Sequence, residues 1–150
     1  MLTHGDIAPT KKVSDQDGID FDWDTVRGRR TLLFFYPKAS TPGCTQQACA
    51  LRDIADHIDD TMIVGVSCGS PRTQKSFATT NDLPYPLLAD TDHSLAEAYG
   101  VWKEKKNYGR TYMGIERSAF LIAADGTLEQ VWYKISPKDT PIKLLAALAS

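Results

Sequence analysis

The sequence predicts an α/β fold with a mixed central sheet flanked by helices. Three observations carry that reading. Apolar runs at residues 32–35 and 62–66 are each followed by a segment of helical character. Two later apolar runs, residues 119–123 and 128–133, flank Ala124-Asp125-Gly126-Thr127, a hairpin signal. A last helical segment closes the chain. Strand, helix, strand, helix, hairpin and helix in that order call for both parallel and antiparallel neighbours.

Each element has its own reason. Lys11-Lys12-Val13 and Ile19-Asp20-Phe21 read as short strands around Ser14-Asp15-Gln16-Asp17-Gly18, an N-terminal β-hairpin whose Asp-x-Asp-Gly supplies the turn. Gly28-Arg29-Arg30 is a break. Residues 31–36 form a strand buried on both faces, because no polar side chain interrupts Leu32 to Phe35. Residues 42 to about 58 read as a helix. Thr41 can cap it, Pro42 suits its first position, and Ala48, Leu51, Ile54, Ala55 and Ile58 make an apolar face. Residues 62–66 are a second buried strand. Residues 70–80 form a helix that ends before Asn81-Asp82-Leu83-Pro84. Tyr85-Pro86-Leu87-Leu88 is a short strand weakened by its proline. Residues 94–99 form a short helix stopped by Gly100, and residues 141–149 a last helix with Ile142, Leu144, Leu145 and Leu148 as core candidates. Repeats and linkers are absent, so residues 1–150 read as one domain.

Composition narrows the function. The hydrophobic content of 42% and charged content of 24% are those of a globular protein. A net charge of −2 gives no electrostatic case for nucleic acid or membrane as partner. No apolar run is long enough to span a membrane, and the first residues lack a signal-peptide pattern, which points to the cytoplasm. Three cysteines make no disulfide framework, and in a reducing compartment their roles are redox, metal binding or packing.

The most informative segment is Tyr36-Pro37-Lys38-Ala39-Ser40-Thr41-Pro42-Gly43-Cys44-Thr45-Gln46-Gln47-Ala48-Cys49. Cys44 falls in the first turn of a helix that follows a buried strand. Unpaired N–H groups and the helix dipole favour an anion there, so the position suits a thiolate. Thr41 offers a hydroxyl to the sulfur or to a substrate oxygen. Pro37 and Pro42 stiffen the loop. The plainer reading is a small buried thiol. Cys49 lies five positions on, which on an intact helix puts the Cα atoms roughly 8–9 Å apart. A disulfide needs less than about 7 Å, so bonding of this pair requires the helix to unwind locally. Core packing is the other reading of Cys49. His4, His57 and His93 stand alone and lack zinc-site spacing, which argues against a metal, and Cys-x-x-Cys is absent.

At this level the chain resembles a known family. Residues 34–45 are similar to the active-site segment of the peroxiredoxins, in particular the bacterioferritin comigratory protein or peroxiredoxin Q subfamily. Gln47-Ala48-Cys49-Ala50-Leu51-Arg52-Asp53, Pro86-Leu87-Leu88-Ala89-Asp90, Ala98-Tyr99-Gly100-Val101-Trp102 and residues 112–122 continue the match in order. The resemblance implies a thioredoxin-like fold with an N-terminal extension, and peroxide reduction without metal or organic cofactor. It implies Cys44 as the peroxidatic cysteine and Thr41 as a hydrogen-bond donor to the thiolate and the attacked oxygen. Pro37 becomes a shield, and Arg117 a fixed charge favouring the thiolate and the developing oxyanion. Cys49 becomes the resolving cysteine of an atypical two-cysteine peroxidase, a monomer recycled by thioredoxin or glutaredoxin.

Other readings stay open. Arg117 can be a solvated arginine, although it enters the apolar strand Ser118-Ala119-Phe120-Leu121-Ile122. Arg52 and Arg110 read as surface or ion-pair residues, and Tyr36 and Trp102 as core. Cys68 departs from the family pattern. If its strand lies parallel and next to residues 31–36, Cys68 reaches the same sheet edge as Cys44. The alternative functions are a peroxide-sensing switch or chaperone-like binder using the same cysteine pair, and a protein thiol–disulfide oxidoreductase.

Overall fold

The computed structural model describes residues 1–149. Its main sheet has six strands: β1 (Ser14–Asp15), β2 (Thr31–Phe35), β3 (Met62–Ser67), β4 (Leu87–Ala89), β7 (Ser118–Ile122) and β8 (Leu128–Trp132). Their spatial order is β1-β4-β3-β2-β7-β8. β2, β3 and β4 run parallel, whereas β7, β8 and β1 are antiparallel to their neighbours. This is the mixed sheet expected. All five residues of β2 are buried, as befits a central strand covered on both faces.

Strand alternation splits the core into two layers. Leu32, Phe34 and Tyr36 pack on one face with Cys44, Ala48 and Leu51 of helix α1 (Pro42–Ile54) and Leu144 of helix α4 (Asp139–Leu148). Leu33 and Phe35 pack on the other with Val64, Val66, Leu95, Tyr99 and Phe120. Each fully buried Leu or Phe contributes about 1.5–3 kcal/mol relative to exposure. In β3 a Cβ on Gly65 would lie 2.7 Å from Leu87 and 2.9 Å from Phe34. Only glycine lets those side chains meet across the strand.

Helix α2 (Pro71–Thr80) is capped by Ser70, whose hydroxyl accepts from the Thr73 N–H. The short α3 (Ser94–Ala98) is held by Asp90, whose carboxylate accepts from the Leu95 and Ala96 N–H groups.

Several expectations are corrected. α1 stops at Ile54 and tightens into a single 3₁₀ turn at Ala55–His57 instead of running to Ile58. The N-terminal hairpin is shifted. Ser14 and Asp15 form the strand, and the Asp15 carboxylate accepts from the Asp17 and Ile19 N–H groups to close the turn. Pro86 lies outside β4, which starts at Leu87 and ends at Ala89. In α4 Ile142 and Leu145 face outward, and Thr140, Leu144 and Ala147 face inward.

One element escaped the sequence reading. β5 (Trp102–Asn107) and β6 (Arg110–Ile115) form a separate two-stranded ribbon. Its turn residues Tyr108 and Gly109 both have positive φ, the backbone of a tight hairpin turn.

Candidate active site

β2 ends at Phe35 and the chain turns through Tyr36 and Pro37 into α1. Ser40 takes a left-handed backbone, φ 65°, which redirects the loop. Thr41 is the N-cap, Pro42 the first helical residue and Cys44 the third. The first helical hydrogen bond runs from the Thr45 N–H to the Thr41 carbonyl. The N–H groups of Gly43 and Cys44 precede it, at the positive end of the helix dipole.

Arg117 reaches this turn because of strand register. β7 pairs antiparallel with β2, and Ser118 lies opposite Phe35. The residue before Ser118 therefore sits at the edge where the chain leaves β2. Its carbonyl is fixed by the Ile135 N–H at 2.9 Å. The guanidinium donates from Nη2 to Cys44 Sγ at 3.3 Å, and from Nη1 to Gln47 Oε1 at 2.7 Å. Cys44 is only 1% exposed. The backbone of Gly43 passes close below the arginine, and a Cβ there would lie 3.3 Å from Nη2 and 3.6 Å from Pro137.

Gln47 is a member of the site that the sequence reading missed. It is fully buried, one turn after Cys44. Its Nε2 donates to Thr140 Oγ1 at 2.8 Å, and the Thr140 hydroxyl donates to the Ser136 carbonyl, also at 2.8 Å. A hydroxyl has one proton. Once it is given to Ser136, Thr140 can only accept, which turns the Gln47 oxygen toward Arg117. A relay from the start of α4 thus orients the arginine over the sulfur.

Thr41 and Pro37 lie in the same loop, with different contacts from those expected. The Thr41 hydroxyl donates to the Lys38 carbonyl at 2.7 Å and makes no side-chain cap. The Pro37 carbonyl accepts from the Ser67 hydroxyl at 3.4 Å, a tie between the loop and the end of β3. Tyr36 is fully buried, and its hydroxyl donates to Gln74 Oε1, so it is core rather than pocket wall. Burial, above all, raises its pKa above the ordinary range. Trp102 stacks on His93 with ring centroids 4.1 Å apart. Arg110 is exposed.

The three thiols are all free. Cys49 shares the unbroken helix α1 with Cys44, and its Sγ lies 3.5 Å from Asn81 Oδ1. Cys68 follows β3, which is parallel and adjacent to β2, so it does reach the same sheet edge. It packs, however, against the opposite core layer from Cys44. Burial, then Asp90 and Asp92, push its thiol up to about 12. Cys68 is a protonated thiol beside two carboxylates.

Comparison with known proteins gives the family of the chain. The sequence profile of the AhpC/TSA family matches residues 4–131. The chain is 46% identical over 133 residues to Peroxiredoxin Bcp of Escherichia coli, covering 87% of this chain and 85% of that one. It is 42% identical over 146 residues to Peroxiredoxin Bcp of Bacillus subtilis, covering 96% and 93%. Among solved structures, the bacterioferritin comigratory protein of Xanthomonas campestris, studied for its alkyl peroxide reduction activity, superposes with a TM-score of 0.86. That match has 33% identity over 93% of this chain and 90% of the other. A cysteine mutant of Xanthomonas campestris Peroxiredoxin Q superposes at 0.89, with 31% identity over 99% and 98%. With a thioredoxin-like mixed sheet and a helix-borne cysteine under an arginine, the chain belongs to the AhpC/TSA family, on its Bcp and peroxiredoxin Q branch.

Proposed function

We propose that the protein is a thiol peroxidase for hydrogen peroxide and organic hydroperoxides, with Cys44 as the attacking sulfur. The observation that supports this most is the Arg117 guanidinium 3.3 Å from a buried sulfur at a helix N-terminus. The Cys44 thiolate attacks one peroxide oxygen and the O–O bond breaks. The sulfur keeps OH as a sulfenic acid, and the other oxygen leaves as hydroxide or alkoxide and takes a proton from solvent to become water or alcohol. Arg117 balances the negative charge that moves from sulfur to the leaving oxygen. Rotation of the Thr41 side chain away from Lys38 frees its hydroxyl for the attacked oxygen, while Pro37 limits water at the loop.

Cys49 then attacks the sulfenic sulfur, and the resulting disulfide is reduced by a dithiol partner such as thioredoxin or glutaredoxin. In this reading the protein works as a cytoplasmic monomer. The supporting geometry is the shared helix α1, on which the two cysteines meet only after local unwinding. Cys44→Ser is expected to abolish peroxide consumption by the reduced protein, and retained activity would sink the assignment. Cys49→Ser is expected to accumulate sulfenic acid and to lose turnover coupled to thioredoxin.

A further inference from the structure

We propose that Asn81 is the holding site of the resolving thiol and sets how long the sulfenic acid on Cys44 survives. The inference rests on the reading of Cys49 as the resolving cysteine. Cys49 is half-buried, and its thiol donates to Asn81 Oδ1 at 3.5 Å. Asn81 is itself fixed. It is the C-cap of α2, and both its backbone N–H and its Nδ2 donate to the Phe77 carbonyl, at 3.2 and 3.0 Å. Arg52, three residues after Cys49 on α1, donates from Nη1 to the Asn81 carbonyl at 2.8 Å. One residue at the end of α2 therefore grips α1 at two points, and one of them is the reacting sulfur.

Cys44 is gripped separately, by Arg117. A disulfide needs its two sulfurs about 2 Å apart, so Cys49 leaves Asn81 before it attacks. In that step the S–S bond forms and the Cys44 S–O bond breaks. The departing hydroxide takes the Cys49 thiol proton as water. The Cys49 sulfur is oxidised by as much as the Cys44 sulfur is reduced. While its sulfur is held at Oδ1, Cys49 cannot approach the Cys44 sulfur to bonding distance. Asn81 thus lengthens the life of the sulfenic acid. It also enlarges the fraction that a second peroxide carries on to sulfinic acid.

Two variants separate this role from simple damage to α2. Asn81→Leu and Asn81→Asp both lose the Nδ2 bond to Phe77, but only leucine removes the thiol acceptor. The readout is the lifetime of the Cys44 sulfenic acid, trapped with dimedone at intervals after one equivalent of hydrogen peroxide. Asn81→Leu is expected to shorten it about three- to tenfold, the effect of one lost hydrogen bond. It should also raise the peroxide concentration that half-converts Cys44 to sulfinic acid. Asn81→Asp is expected to match or exceed the wild-type lifetime. An unchanged lifetime in Asn81→Leu, or equal shortening in both variants, overturns the proposal. Cys49→Ser tests the underlying reading. A wild-type lifetime in that variant removes the resolving role, and the proposal with it. A prolonged lifetime there, with no effect of Asn81→Leu, removes Asn81 alone.

Discussion

Cys44 and Cys68 follow neighbouring parallel strands and reach one edge of the sheet, yet their surroundings are opposite. Cys44 lies on the α1 face, at the head of a helix, with a guanidinium 3.3 Å from its sulfur. Cys68 lies against the other core layer, where burial and two aspartates hold its thiol up to about 12. In the proposed reading, the sign of the nearest charge and the helix N-terminus, not position at the sheet edge, separate the two thiols.

The largest test of that contrast is removal of the charge. Arg117→Met is expected to lower kcat/KM for peroxide about a hundred- to thousandfold, measured by the rate of Cys44 oxidation in stopped flow. Arg117→Lys should recover only part, because an ammonium lacks the rigid planar fork that aims one nitrogen at Gln47 and the other at sulfur. If methionine costs less than tenfold, the arginine is not what separates the two thiols.

A smaller effect is expected from the relay behind the arginine. Thr140→Val keeps the side-chain shape but strands the buried Gln47 amide. The same rate constant should fall about tenfold, by loss of one buried hydrogen bond. Thr140→Ser should restore it. A normal rate in Thr140→Val would show that Arg117 is oriented without α4.

The smallest effect on turnover belongs to Cys68. In a Cys44→Ser/Cys49→Ser background at pH 8, its alkylation by iodoacetamide should be at least about a hundredfold slower than that of a free cysteine. The raised pKa also has a stability consequence. The unfolded chain ionises this thiol near 9, whereas the folded chain holds its proton to about 12. Its contribution to stability is present below pH 9 and lost as pH rises from 9 to about 12. Denaturation followed across that window should show a steeper loss in wild type than in Cys68→Ser. Peroxide turnover in Cys68→Ser should stay within about twofold of wild type.

Much of this architecture is written in local patterns. The unbroken apolar run of β2, the proline opening α1 and the Asp125-Gly126 turn each fix an element by strong local chemistry. The β5–β6 ribbon is not written that way. Its strands Trp102-Lys103-Glu104-Lys105-Lys106-Asn107 and Arg110-Thr111-Tyr112-Met113-Gly114-Ile115 have no continuous apolar face, and a tyrosine occupies a positive-φ turn position that usually takes Asn, Asp or Gly. Cys44, Cys49, Thr41 and Pro37 stand together in sequence. Arg117 needed the resemblance, since only the pairing of Phe35 with Ser118 brings it to the cysteine. Gln47, Thr140 and Asn81 were invisible for another reason. A polar residue on a helix reads as solvent-facing, and burial by a distant element leaves no local trace.

The Tyr85 hydroxyl donates to the Ala48 carbonyl at 2.7 Å from across the core. That bond falls midway along α1, between Cys44 and Arg52. Beyond it, Leu51 is fully buried and Arg52 is tied to α2. Before it, the helix is also buried at Cys44 and Gln47 and adds the polar contacts that Arg117 and Thr140 make with those two residues. Amide protons on the two sides should therefore exchange with deuterated solvent at different rates. The turn holding Cys44 should exchange as one small cooperative unit, and the turn holding Leu51 only with the whole domain. The backbone of α1 is continuous, but its two halves are held by different neighbours.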